Sequence, residues 1–388
     1  MGMKKVYLDH AATTYVSAES LQSMLPYMTT AFGNAMSIHG FGREAEAALN
    51  KARTQIAKAI GANPNEIYFT SGATESNNWI LNGAVRSHPS KRAIVSSIEH
   101  PSIMETCKKL QAEGFTIDYV AVDRDGIIQV SDLVAKLSKP AALVSVMTAN
   151  SEVGTIQYIN SIANLCKERG VAFHTDATQA IGSVFIDVKQ MNIDSLSMSA
   201  HKLCGPKGIG ALYIRNGLPV EKYMCGGHQE RSRRAGTQNV AAAVGFGTAV
   251  EVTIRDSKLN NTRIKTLRDY LITQVIEKVP HTKLNGHRSQ RLPNNAHFSF
   301  PGIEGEALAM TLDLAGIGVS TGSACASGAL EPSHVLRAMG LGDNLVNSSI
   351  RFSLGRNTTK EEIDYTVAEL VKAVKKLRGM SAVKLGGK

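Results

Sequence analysis

Lys202 lies in the stretch 197–208, SMSAHKLCGPKG, where a short apolar run gives way to small residues, a His-Lys pair and a Gly-Pro turn. Strand-to-turn junctions of this kind are where α/β folds expose reactive groups. Taken alone, the residue reads as an ordinary surface cation far more readily than as a covalent lysine. A second apolar run, 171–176 (VAFHTD), follows a helix-patterned segment, 159–169, that Gly170 closes. If both runs are strands of one parallel sheet, the Asp176 carboxylate and the Lys202 amine share an edge. Pyridoxal 5'-phosphate needs that pairing, a lysine as covalent anchor and an aspartate to keep the pyridine nitrogen protonated.

A third chemical group sits in the stretch 320–332, STGSACASGALEP, small residues around one thiol. Such a composition cannot bury itself, so it is expected to be mobile and to carry Cys325 between a buried site and an external acceptor. A linker with an incidental cysteine has the same composition. The five cysteines, at 107, 166, 204, 225 and 325, form no C-x-x-C pair and no zinc spacing. An odd count without a secretion signal predicts free thiols and a cytoplasmic protein.

Two further segments end where a ligand could sit. The stretch 71–78, SGATESNN, places small residues at the start of a helix, whose free N–H groups and positive dipole end suit a phosphate. On its own it is more readily a plain cap. His100 lies just past a strand and before Pro101, a position that serves capping or catalysis. The glycines of 205–210, GPKGIG, fit neither G-x-G-x-x-G nor a P-loop and read as turns.

The elements that must position these groups alternate. Strands are predicted at 66–70, 92–98, 116–122, 141–147, 171–176, 194–198 and 211–215, with helices at 17–31 and 42–60 and from 71, 102, 131 and 159. This alternation predicts an α/β fold with a mainly parallel sheet flanked by helices. A long helix, about 240–279, leads to strands near 296–300 and 348–354 and a last helix from about 360, a smaller α+β domain. At 388 residues the chain exceeds one small core, and roughly 100–200 residues per domain suggests two domains.

Composition narrows the partners. A 43% hydrophobic, 20% charged chain with no window near the roughly 18 apolar residues of a span predicts no membrane association. The net charge of +10 is spread along the chain, with small clusters such as 231–234, and no aromatic-interleaved basic motif accompanies it. Nucleic acid is therefore not an expected partner.

The motifs above, together with 7–14 (YLDHAATT), 226–237 (GGHQERSRRAGT) and 348–356 (SSIRFSLGR), resemble in order those of the class V aminotransferase family. Within it they are most similar to the cysteine desulfurases of the NifS/IscS kind. The resemblance spans nearly the whole chain. It implies the fold type I architecture of pyridoxal phosphate enzymes, with a large cofactor domain at 16–255 and a small domain formed by 1–15 and 256–388. It implies that Lys202 binds pyridoxal 5'-phosphate covalently and that Asp176 pairs with its ring nitrogen. His100 would stack on the ring and assist proton transfers. Ala73, Thr74, Ser199 and His201 would hold the phosphate, joined by Thr237 from the other subunit of a homodimer. Gln179 and residue 151 would face the phenolic oxygen, although the family's asparagine is Ser151 here. Arg351 would clamp the carboxylate of L-cysteine, and Cys325 would take its sulfur as a persulfide. A protein sulfur acceptor, such as an Fe–S scaffold, and tRNA thiolation are the implied destinations. A selenocysteine lyase or another class V enzyme of this cofactor shares most of these motifs, whereas an aminotransferase has no use for Cys325.

Overall fold

The computed structural model describes residues 4–321 and 332–381. Seven short strands form its main sheet: Ile67–Thr70 (β1), Arg92–Ser96 (β2), Thr116–Val120 (β3), Leu143–Ser145 (β4), Ala172–Asp176 (β5), Ser195–Ser199 (β6) and Gly210–Ile214 (β7). Their order is β1-β7-β6-β5-β4-β2-β3. The run from β6 through β5, β4 and β2 to β3 is parallel, and β7 runs antiparallel to both its neighbours. β1, β2, β4, β6 and β7 are buried along their whole length, as in sheets covered by helices on both faces.

Because β1 is antiparallel to β7, it points the same way as the parallel strands. The carboxyl ends of β1, β2, β4, β5 and β6 therefore open on one edge, the usual place for a site in such sheets. The helix Ala73–Ser87 follows β1 at once, and Pro101–Ala112 follows β2 within a few residues. Pro at the first position of the second helix is preset for a helical start.

The helix Val240–Lys278 spans two apolar clusters. Val240, Phe246 and Val250 join the core around the main sheet, which also takes in Leu292, Val335 and Val346. Ile264, Leu271 and Val275 join a second core with Val6, Leu8, Phe298, Phe352 and Leu370. That second core backs an antiparallel sheet of Lys283–Asn285 (β8), Asn295–Ser299 (β9) and Ser349–Ser353 (β10), in the order β10-β9-β8. The last helix, Lys360–Met380, opens with a capping box between Thr359 and Glu362.

The N-terminal arm begins as a short strand that the sequence does not announce, with Val6–Tyr7 parallel to Ile317–Gly318. Two residues show no periodicity, and the partner strand lies at the far end of the chain. Among the described residues no helix is long and apolar enough to cross a membrane, and no cluster could hold a metal ion.

Candidate active site

The arm 9–14 lies across the carboxyl edge of the sheet and is tied to the lysine turn. Lys202 follows β6 in a single 3-10 turn, and its Nζ donates to the carbonyls of Ala11 at 2.5 Å and Ala12 at 2.6 Å. Thr14 donates its N–H and its hydroxyl to the carbonyl of His201, at 3.0 and 2.8 Å, and accepts the Cys204 N–H. Gln179 Nε2 donates to the Ala11 carbonyl at 3.0 Å. His201 Nδ1 lies 3.1 Å from the Thr13 hydroxyl. Burial, with Lys202, Lys207 and His100 nearby, lowers the His201 pKa to about 4, so the ring is neutral at physiological pH. A cleft of about 90 Å³ opens here, lined by His10, Thr178, Gln179, Lys202, Asn261 and Arg356 among others.

Asp176 ends β5, one strand from β6, with its backbone opposite Ser197. Its carboxylate accepts the Thr178 N–H on Oδ1 at 2.9 Å and the Asn77 amide on Oδ2 at 2.8 Å. His100 caps the helix Pro101–Ala112, its Nδ1 accepting the Ser102 N–H at 3.1 Å. Burial pulls its pKa below the ordinary value, opposed by the Asp176 charge and reinforced by Lys202 and His334. Asp176 and Lys202 thus both lie within electrostatic reach of His100.

At the other side of the edge, Gly72 starts the helix Ala73–Ser87 with no side-chain cap. The N–H groups of Ala73 and Thr74, in the first turn, have no acceptor within the helix. A Cβ on Gly72 would lie 3.8 Å from the Ser199 hydroxyl, so that hydroxyl borders the helix start. Glu75 accepts the Ser71 N–H at 2.8 Å and pairs with Arg234 at 2.8 Å, which ties the segment before Thr237 to the same helix. Thr237 itself is exposed, just ahead of the long helix.

Arg351, on β10, is 3% exposed. Its Nη1 donates to the Ser151 carbonyl at 3.0 Å and its Nη2 to Asp9 Oδ1 at 2.8 Å. The arm therefore touches both Lys202 and Arg351. Asn150, beside Ser151, folds inward instead, donating to Ile98 O and accepting the Glu152 and Val153 N–H groups. Glu152 accepts the Ser333 hydroxyl, and burial pushes its pKa up to about 7 against the pull of that bond and of Arg351. Cys325 lies outside the described residues.

Four contributors escape a reading of sequence. Asn77 and Asp9 stand inside the recognised stretches 71–78 and 7–14 but have no distinctive type there. Glu99 and Glu152 adjoin recognised residues, and only burial makes them unusual; Glu99 is pushed well above the ordinary carboxylate range.

The family model for aminotransferase class-V matches residues 6–366. The chain belongs to that family. Class V relatives include the cysteine desulfurase IscS of Clostridium botulinum, 48% identical over 382 residues, covering 97% of this chain and 96% of the relative. The cysteine desulfurase IscS of Dictyoglomus turgidum is 47% identical over 98% of this chain and 97% of its own. Among solved structures, a NifS-like protein matches with a TM-score of 0.90 and 36% identity, over 96% of this chain and 100% of its own. The apo cysteine desulfurase of Thermococcus onnurineus matches at 0.86 and 25% identity, over 96% and 95%.

Class V enzymes are pyridoxal phosphate-dependent, and the residues at this edge fit that group. An uncapped helix start beside a serine hydroxyl suits a phosphate, and a carboxylate held by two donors suits a protonated ring nitrogen. Lys202 stands three residues after that serine, in the turn that follows the strand paired with the one ending at Asp176.

Proposed function

We propose that this chain is a cysteine desulfurase that uses pyridoxal 5'-phosphate to convert L-cysteine to L-alanine, leaving the sulfur as a persulfide on Cys325. The observation that supports it most is that one arm, through Asp9, Ala11 and Ala12, meets both the lysine and the arginine that the reaction needs. The near full-length likeness to cysteine desulfurases of two organisms supports the activity.

When bound, the cofactor supplies the electron sink that makes the α-proton of cysteine acidic. Lys202 is its covalent anchor, Asp176 holds the ring nitrogen, and Ala73, Thr74, Ser199 and His201 hold the phosphate with Thr237 of a second subunit. Arg351 takes the substrate carboxylate. Freed from the cofactor, Lys202 Nζ removes the α-proton. The Cys325 thiolate attacks the substrate sulfur: the S–S bond forms, the C–S bond breaks with its electron pair staying on carbon, and a proton completes the alanine methyl group.

The same reading takes the enzyme as a cytoplasmic homodimer that passes its sulfur to a protein acceptor, for Fe–S assembly, other sulfur cofactors or tRNA thiolation. Apolar side chains exposed along one stretch, Met28 at 61%, Phe32 at 73%, Ile38 at 92% and Phe41 at 60%, support a second copy covering them. The separate core behind β9 and β10 supports a small domain of 1–15 and 256–388 against a large one of 16–255. Incubation of the purified holoenzyme with L-cysteine and reductant tests the activity. Alanine and sulfide in equal amounts are expected, and keto acid in place of alanine would overturn the reading.

A further inference from the structure

Asn77 lies on the inner face of the helix Ala73–Ser87, wholly buried. Its amide nitrogen donates both its hydrogens, one to Asp176 Oδ2 at 2.8 Å and one to the Ser102 hydroxyl at 2.9 Å. Its Oδ1 is buried without a partner. Leaving an amide oxygen unpaired is costly, so the orientation needs a cause. The cause is Asp176: the flipped amide would set its oxygen against a carboxylate oxygen, which can only accept, and lose that bond.

The direction of these bonds runs on to His100. Ser102 Oγ accepts from Asn77, so its own hydrogen is free to go to the other partner within reach, His100 Nδ1 at 2.9 Å. The Ser102 backbone N–H points to that same nitrogen at 3.1 Å, and a backbone N–H can only donate. His100 Nδ1 therefore presents its lone pair to two donors, and the ring's hydrogen is on Nε2.

We propose that Asn77 is a positioning residue for the reaction, joining the Asp176 carboxylate to His100 through Ser102 and holding the imidazole as its neutral Nε2–H tautomer. The inference rests on the proposed site, in which Asp176 and His100 serve the cofactor. Protonating Nδ1 breaks the bonds from Ser102 and places a positive charge at a helix N-terminus, where it is disfavoured. Of the charged and titratable groups facing the ring, Asp176 favours protonation while Lys202 and His334 oppose it. His100 thus meets its reactants as a hydrogen-bond donor, and the α-proton is left to Lys202.

NMR of holoenzyme carrying ¹³C-labelled histidine tests this, with the His100 signal assigned by its loss in His100→Asn. The ring carbon shifts distinguish the two tautomers. In the unsubstituted enzyme the Nε2–H form is expected throughout the neutral range. Ser102→Ala removes one donor to Nδ1, and Asn77→Leu releases the hydroxyl from its fixed direction. Each should raise the His100 pKa, by up to about one unit for one neutral hydrogen bond, and Asn77→Leu should admit some Nδ1–H form. An Nδ1–H ring in the unsubstituted enzyme, or the same tautomer and pKa in both variants, would overturn the proposal. If Asn77→Leu does not fold, Ser102→Ala decides alone. A protein that binds no pyridoxal phosphate would defeat the functional reading instead, and the tautomer would still be read.

Discussion

The guanidinium of Arg351 donates to the carboxylate of Asp9 at 2.8 Å, joining β10 of the three-stranded C-terminal sheet to the N-terminal arm. Nη1 is taken by the Ser151 carbonyl, and Nε is buried with no partner. A carboxylate arriving along the Nε edge finds an unused donor and relieves it. Arg351→Lys should therefore raise KM for L-cysteine by roughly tenfold or more, since a point charge replaces two directed bonds worth about 1.5–3 kcal/mol each. Initial-rate kinetics checks this, and an unchanged KM would move the clamp elsewhere.

Lys202→Ala should abolish both turnover and the visible absorption band of the bound cofactor, because the anchor and the base are lost together. Absorbance and alanine assays on the same preparation read the two effects. Alanine formation at near the original rate would remove Lys202 from the mechanism.

Glu152 gives a pH dependence of stability. Its carboxyl is raised from the ordinary 4.5 to about 7, chiefly by burial. The folded state therefore holds a proton there that the unfolded state has released, and stability is lost as pH rises from about 4.5 through about 7. Glu152→Gln removes this loss, so the difference in Tm between variant and parent should shift in the variant's favour from about pH 5 to about pH 8, by up to ~3 kcal/mol in free energy. A difference that does not vary with pH would mean that Glu152 ionises as easily folded as unfolded.

Much of this framework is legible in the sequence because buried strands are short apolar runs and helices close at glycine or proline. The run read as 92–98 is a strand at Arg92–Ser96, and the helix read as 240–279 is Val240–Lys278. The antiparallel β7 is not legible, because a strand's direction leaves no mark on its composition. Nor are the partners of Asn77: Ser102 and Asp176 are 25 and 99 residues away, and only the folded sheet edge brings three ordinary polar residues together. Asp9 is a similar case, 342 residues from the arginine it holds.

Ser151 should affect the electronics of the bound cofactor. With Gln179 it is read as facing the phenolic oxygen, and a serine reaches less far than the family's asparagine. One neutral hydrogen bond to that oxygen is worth about 0.5–1.5 kcal/mol, or up to about one pKa unit. Fewer donors leave more negative charge beside the lysine–cofactor nitrogen, which then holds its proton more tightly. Ser151→Asn should accordingly lower the pKa seen on pH titration of the visible band while activity is kept. A pKa that stays or rises would show that Ser151 already donates or does not touch the cofactor.

The most direct test is a single turnover. Holoenzyme given one equivalent of L-cysteine without reductant should form one equivalent of alanine, and mass spectrometry should find one added sulfur atom on the peptide that carries Cys325. Cys325→Ser should keep the visible band, respond to cysteine spectroscopically, and yield neither product. Sulfur found on Cys107, Cys204 or another thiol, or alanine formed at the same rate by Cys325→Ser, would contradict the account.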